Sequence, residues 1–198
     1  MEFVKLTQAQ WLDEVTKYIK GGLHRVGYVV TETPVAVVYE KGQVNEEVCK
    51  ELGYQIIESF NNANTMVSNV GDVLIGHFGH PSDNWYDRFI TYFVDWLKEK
   101  GLNAEFVSND ITVDGYKVCG MCITRYGRID YTAGIISMNV NLDDIKAICN
   151  KPMVKVPKGL WDYGITTEEI EQMFTDFCAQ DEVNYNTSAY SMKRRINN

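Results

Sequence analysis

The sequence predicts an α+β fold in which helices pack on a mixed, largely antiparallel sheet. Three features predict it: a strand, short helix, strand unit near the amino end; consecutive strands joined by tight turns in the middle; and capped amphipathic helices around that run. With 198 residues, 45% of them hydrophobic, the chain can bury one sizeable core, so one domain over residues 1–180 and a polar tail over 181–198 are expected.

The elements follow in order. Thr7 and Gln10 read as a capping box, after which Trp11, Leu12, Val15, Tyr18 and Ile19 recur at helical spacing until Gly21-Gly22. Two β-rich runs, Val26 to Thr31 and Val35 to Tyr39, are separated by Glu32-Thr33-Pro34. Asn45 caps a short helix expected to turn Val48 and Leu52 inward before Gly53, and Tyr54 to Ile57 returns to strand composition. Beyond the polar stretch Phe60 to Asn64, Val73 to Phe78 reads as a strand. Ser82-Asp83 then opens a helix whose apolar face is Trp85, Phe89, Tyr92, Phe93, Trp96 and Leu97, with Gly101 as its left-handed stop.

From Glu105 to Asn141 the pattern is three antiparallel strands, reversed at Asp114-Gly115 and at Tyr126-Gly127-Arg128. Asn141 caps a short helix with Leu142, Ile145 and Ile148 inside. Thr166 and Glu169 form a second capping box ahead of Ile170, Met173, Phe174 and Phe177.

Composition excludes several classes. A net charge of −8 argues against nucleic-acid binding, which needs a local excess of Lys and Arg; the one dense basic run, Lys193-Arg194-Arg195, reads as a solvated tail. No stretch reaches the roughly 18 apolar residues of a membrane span, and the amino end carries early charges, so a cytoplasmic protein is expected. The five scattered cysteines read as reduced thiols. Cys119 and Cys122 have the spacing of half a zinc site, but residues three apart on a strand face opposite ways and no second pair completes the set, so no metal is expected. His77 and His80 read as loop residues at a strand end.

The segment most informative for chemistry is Asn109-Asp110-Ile111-Thr112-Val113-Asp114-Gly115-Tyr116-Lys117-Val118-Cys119-Gly120. It resembles the "N-D-(I/L)-x-V-x-G-x-K-(I/V)-x-G" stretch of the lipoate-protein ligase, octanoyltransferase and biotin ligase superfamily. Pro34 to Val38, Gly42-Gln43 and Asn45 to Val48 are similar to that family's strand, "G-x-x-Q-N" element and helix. Gly134 to Leu142 resembles its "H-G-x-x-L-N-V-N-x-D-L", with Ala133 where a histidine is usual. The likeness runs over residues 34–170.

The resemblance implies a lipoate/biotin ligase-like fold and transfer of a lipoyl or octanoyl group to a lysine of a small acceptor domain. A small acyl-carrier protein would be the donor if the transferase route applies. Lys117 would be the catalytic cation, because acyl transfer builds negative charge on oxygen and a fixed ammonium in a partly desolvated pocket stabilises it. Asn62, Ala63, Asn64, Ser68, Asn69, Asn109, Asp110 and Gly120 would contact substrate.

The family's "R-R-x-(S/T)-G-G-G" loop corresponds here to Glu58-Ser59 and Asn62-Ala63-Asn64. Asparagine tolerates left-handed backbone and can keep the loop's shape, but the missing arginines weigh against ATP. An acyl thioester needs no ATP, and Cys149 lies where the octanoyltransferases of the family carry a nucleophilic cysteine. On that reading Lys117 favours the Cys149 thiolate; a buried helix-end thiol is the other reading. Lys151, Lys155 and Lys158 form a solvated edge that would attract an acidic domain. The alternative to catalysis is a non-catalytic member of the same fold that binds a partner or serves as a structural component.

Overall fold

A computed structural model describes residues 5–11, 27–38, 40–58, 65–79, 84–126 and 129–180. The first helix from Leu12 to Ile19, the loop with Asn62, Ala63 and Asn64, His80, and the tail 181–198 lie outside them. In order come β1 (Tyr28–Val30), β2 (Val35–Val38), α1 (Glu46–Glu51), β3 (Gln55–Glu58), β4 (Met66–Ser68) and β5 (Val73–Gly79). Next are α2 (Trp85–Glu99), β6 (Ala104–Val107), β7 (Asp110–Val113), β8 (Tyr116–Tyr126), β9 (Ile129–Ile136), α3 (Leu142–Ile148), a 3-10 turn (Leu160–Tyr163) and α4 (167–180).

The α+β class with mixed, largely antiparallel strand pairing is as expected, and the strands divide into two sheets. Six strands, in the order β1-β5-β9-β8-β7-β6, are antiparallel throughout. The parallel pairing is confined to a second sheet, β3-β2-β4, in which β2 runs parallel to β3 through α1 and antiparallel to β4. Alternation along β2 joins the layers: Val35 and Val37 pack with Leu74, Tyr131 and Ala133 of the large sheet, whereas Ala36 and Val38 pack with Cys49 of α1 and Ile148 of α3. The opposite face of the large sheet is covered by α2 and α4, where Trp85, Phe89, Phe93 and Leu97 meet Phe174 and Phe177.

Local chemistry explains most boundaries. The two capping boxes close reciprocally: Gln10 N donates to Thr7 Oγ1 (3.2 Å) while Thr7 N donates to Gln10 Oε1 (2.9 Å), and Thr166 and Glu169 repeat the pattern at 2.9 and 3.2 Å. Asn45 and Asn141 accept backbone N–H bonds from Val48 and from Asp143 and Asp144, satisfying donors at the starts of α1 and α3.

Two local expectations, on Leu52 and on the number of middle strands, differ from the structure. Leu52 is 42% exposed, and Cys49 is the fully buried side chain of α1, packed with Ala36, Val38 and Ile148. The aromatic helix begins at Trp85, with Asn84 in the left-handed region as its N-cap, and Ser82-Asp83 lie outside the described residues. Four strands, not three, fill the middle: Ser108 and Asn109 both take positive φ (53° and 67°), making a tight turn between β6 and β7 without glycine. The Asp114-Gly115 turn is as expected, with φ of 52° and 80°.

Candidate functional site

Where the small sheet splays from the large one, a cleft of about 450 Å³ opens. Its floor is apolar: Cys122, Ala133 and Ile135 project from adjoining strands β8 and β9. Met66, Val67 and Asn69 line it from β4 and its end. Asn109, Asp110 and Lys117 stand at the β7–β8 side, and residues 151–155 and Pro157 lie over the mouth as a strap. The strap is sewn to β8: Lys117 N donates to Val156 O (3.0 Å) and Lys158 N to Lys117 O (2.9 Å). An apolar floor beneath polar sides suits a ligand with an aliphatic body and a polar end.

The Lys117 ammonium is held by Asp110. Its Nζ lies 2.7 Å from Asp110 Oδ1, and Lys155 Nζ lies 3.1 Å from Asp110 Oδ2, so one carboxylate carries two ammonium groups. Their side chains are 33%, 18% and 22% exposed for Lys117, Asp110 and Lys155 respectively, so Lys117 sits at the rim of an open cleft and not at the inner end of a closed channel. Lys155 also donates to the Val107 carbonyl. Gly120 is part of the arrangement: a Cβ there would stand 2.7 Å from Lys117 Nζ and 2.8 Å from its Cε. Gly120→Ala is therefore expected to push the ammonium aside without removing its charge. Activity should fall about tenfold, a loss of about 1.4 kcal/mol in transition-state stabilisation, while thermal unfolding is nearly unchanged.

Asn109 is set by the β6–β7 turn and by Tyr86 of α2, whose hydroxyl donates to Asn109 Oδ1 (3.2 Å). On the facing wall, buried Asp72 accepts three backbone N–H bonds, from Asn69 (2.7 Å, to Oδ2) and from Met138 and Asn139 (2.7 and 3.0 Å, to Oδ1). Burial pushes its carboxyl up to about 7, against the pull of those donors towards the ionised form. Asn69 extends the network, donating from Nδ2 to Asn139 O (2.9 Å) and accepting from the Tyr54 hydroxyl (2.5 Å), which also reaches Asp144 (3.1 Å). The start of β5 and the segment after β9 are thus tied into one wall.

Cys149, the C-cap residue of α3, lines the same cleft as Lys117. It is fixed on both sides, Asn45 N donating to Ile148 O (2.8 Å) and Asn150 N to Gln43 O (3.1 Å). The expected electrostatics differ: burial, and then neighbouring Cys49, push the Cys149 thiol above its ordinary value. The field of Lys117 acts on Cys119 and Cys122, where it opposes the upward push of burial. Alkylation of Cys149 by iodoacetamide should therefore be slower at pH 7.5 than that of a free thiol, with its midpoint displaced to higher pH. Rates measured by mass spectrometry should be the same in Lys117→Ala, and acceleration in the wild-type protein at neutral pH would contradict this.

Of the residues singled out from sequence, Lys117, Cys149, Asn69, Asn109, Asp110 and Gly120 all line one cleft. Ser68 does not: it is fully buried, its hydroxyl 2.7 Å from that of Thr31. Asn62, Ala63 and Asn64 fall outside the described residues. Cys119 and Cys122 face opposite sides of the large sheet, the first in the helix-covered core and the second in the cleft. His77 lies within β5, stacked on Trp85 at 4.4 Å, and burial lowers its pKa to about 4. Sequence reasoning missed Asp72 and Tyr54 and read Lys155 as a solvated cation. The available signal for Asp72 was an acid placed directly after a turn glycine and before an apolar strand.

Residues 28–181 match the family model described as the lipoyl protein ligase A/B catalytic domain. The chain belongs to this family. Solved structures agree on the fold. A bi-partite lipoate protein ligase from Thermoplasma acidophilum, from work that includes its E2 lipoyl domain, is 10% identical, with a TM-score of 0.71 over 90% of this chain and 81% of its own. P. falciparum LipL1, solved with lipoate, is 16% identical, with a TM-score of 0.70 over 94% of this chain and 62% of its own. Biotin protein ligase from Aquifex aeolicus, solved with biotin and ATP, is 12% identical, with a TM-score of 0.51 over 91% and 69%. No curated protein sequence gives a significant match. Membership in the lipoyl protein ligase A/B family fits the two-sheet cleft, and among the described residues no helix is long and apolar enough to cross a membrane.

Proposed function

We propose that the chain transfers a lipoyl or octanoyl group to the ε-amine of a lysine on a small acceptor domain. The observation that carries this reading is the convergence of Lys117, Asp110, Asn109 and Cys149 on one cleft with an apolar floor. The aliphatic tail lies over Cys122, Ala133 and Ile135, with the acyl carbonyl towards Lys117. In the transfer step the acceptor amine attacks the carbonyl carbon; a C–N bond forms, the bond to the leaving group breaks, and the amine proton leaves to solvent or to the departing group. Lys117 offsets the charge that develops on the carbonyl oxygen.

Two routes to the activated acyl group differ in their chemistry. In the ligase route, ATP and a free carboxylate give an acyl adenylate and pyrophosphate. In the transferase route, the Cys149 thiolate attacks an acyl thioester, a new C–S bond replaces the old one, and the carrier thiol departs. Glu58-Ser59 in place of two arginines weighs against the first. The raised Cys149 thiol weighs against the second. A cationic strap on a chain of net charge −8 draws an acidic acceptor or carrier towards the cleft.

Two assays on folded protein decide between the routes: lipoate-dependent exchange of pyrophosphate into ATP, and a mass adduct on Cys149 after incubation with octanoyl-carrier protein. One is expected to be positive. If both are negative, the transfer reading is wrong. The specific observation favouring a non-catalytic member of the fold is that Lys117 is already paired with Asp110; on that reading Lys117→Ala leaves biological activity intact.

A further inference from the structure

At the rim of the cleft two ammonium groups share one carboxylate. Lys117 takes Asp110 Oδ1 at 2.7 Å and Lys155 takes Oδ2 at 3.1 Å. One acid neutralises one cation, so the trio carries a net charge of +1. Among the described residues the other acid of the cleft wall is Asp72, whose oxygens are turned to the N–H groups of Asn69, Met138 and Asn139. Lys151 adds a further cation from the strap. A local positive excess is thus built into a chain whose net charge is −8.

The second lysine is placed by backbone and not by chance contact. Lys155 sits two residues before Pro157, and Pro157 bridges Lys117 in a parallel pairing fixed by the bonds from Lys117 N to Val156 O and from Lys158 N to Lys117 O. Its ammonium also donates to the Val107 carbonyl in the strand before the β6–β7 turn. Strap, turn and β8 therefore hold both cations at one end of an apolar floor. A lone surface lysine anchoring the strap would need neither a carboxylate already taken nor a position lining the cleft.

We infer that Lys155 is a second anion-binding residue of the site, which together with Lys117 receives an anionic oxygen, carboxylate or phosphate, of the ligand. This rests on the acyl-transfer reading and extends it: the site selects for charge at the head of the acyl ligand and not only for its tail. Two ammonium groups on a partly desolvated ligand oxygen give a preference that a single cation, already matched by Asp110, cannot. Asp110 then acts as the group that keeps the pair together when no ligand is bound.

The test is calorimetric binding to the full chain of three probes: lipoate, its neutral isostere lipoamide, and adenosine monophosphate. Wild-type protein is expected to bind lipoate about tenfold more tightly than lipoamide, if the oxygen received is a carboxylate. Lys155→Gln should abolish that preference while leaving lipoamide affinity unchanged, and Lys155→Arg should retain it. If phosphate is the anion received, Lys155→Gln weakens adenosine monophosphate binding at least fivefold and spares the lipoate to lipoamide ratio. Equal weakening of lipoate and lipoamide would mean that Lys155 only anchors the strap, and unchanged binding of all three would equally overturn the inference. A wild-type protein that binds neither lipoate nor lipoamide defeats the acyl reading itself, a result distinct from a wild-type protein that binds both but ignores Lys155.

Discussion

Lys117→Ala is expected to lower acyl transfer by about 10²- to 10³-fold, the range seen when a preorganised donor to a developing oxyanion is removed. The loss should fall on kcat more than on KM, because the ammonium interacts more strongly with the charged transition state than with a neutral acyl carbonyl. Folding should hardly change. Asp110 keeps Lys155 as a partner at 3.1 Å, so no uncompensated carboxylate is left behind, and the thermal midpoint should stay within a few degrees. Intact-mass measurement of the acylated acceptor domain gives the rate, and thermal unfolding gives the control. A variant retaining more than half of wild-type turnover would remove Lys117 from the chemistry.

Asp72→Ala is expected to be the most damaging substitution for stability, costing about 3–5 kcal/mol. Three backbone donors lose their acceptor, each left-over buried donor costs about 1–3 kcal/mol, and the exposed position of Asn139 lets one of them reach water. Asp72→Asn keeps an oxygen for Met138 and Asn139 and loses only the bond from Asn69, so it should cost about 1–2 kcal/mol. Urea unfolding separates the two.

The same carboxyl makes stability depend on pH with a definite sign. Its native value is raised to about 7, so between the unfolded value of about 4 and that point the native state binds a proton that the unfolded state has lost. This contribution is complete below pH of about 4 and is lost as pH rises through 7. Wild-type protein should therefore lose stability from pH 5 to pH 8 relative to Asp72→Asn, in which the dependence is flattened. A wild-type curve that rises over this interval relative to the variant would contradict the assignment.

Much of the architecture was legible in the chain itself because its causes are local. The capping boxes at Thr7 and Thr166, the caps at Asn45 and Asn141, the Asp114-Gly115 turn and the aromatic face of α2 all depend on residues within a few positions of one another. The same holds for the Asn109 to Gly120 motif, whose hairpin brings Lys117 beside Asp110 through pairing of neighbouring strands. The Ser108-Asn109 turn escaped notice because both residues adopt left-handed backbone without the glycine that usually marks it.

By itself, the sequence determined the α+β class, the order of most elements and the lysine motif, since propensity, capping and hairpin chemistry act over short stretches of chain. Tertiary structure alone decided that the strands divide into two sheets, that Asp72 and Asn69 form the wall opposite Lys117, and that Lys155 joins the same carboxylate. It also decided the surroundings of Cys149, whose thiol is pushed up by burial and then by Cys49. The physical reason is that desolvation and ion pairing depend on which groups fold together across distant parts of the chain, and no local pattern carries that information.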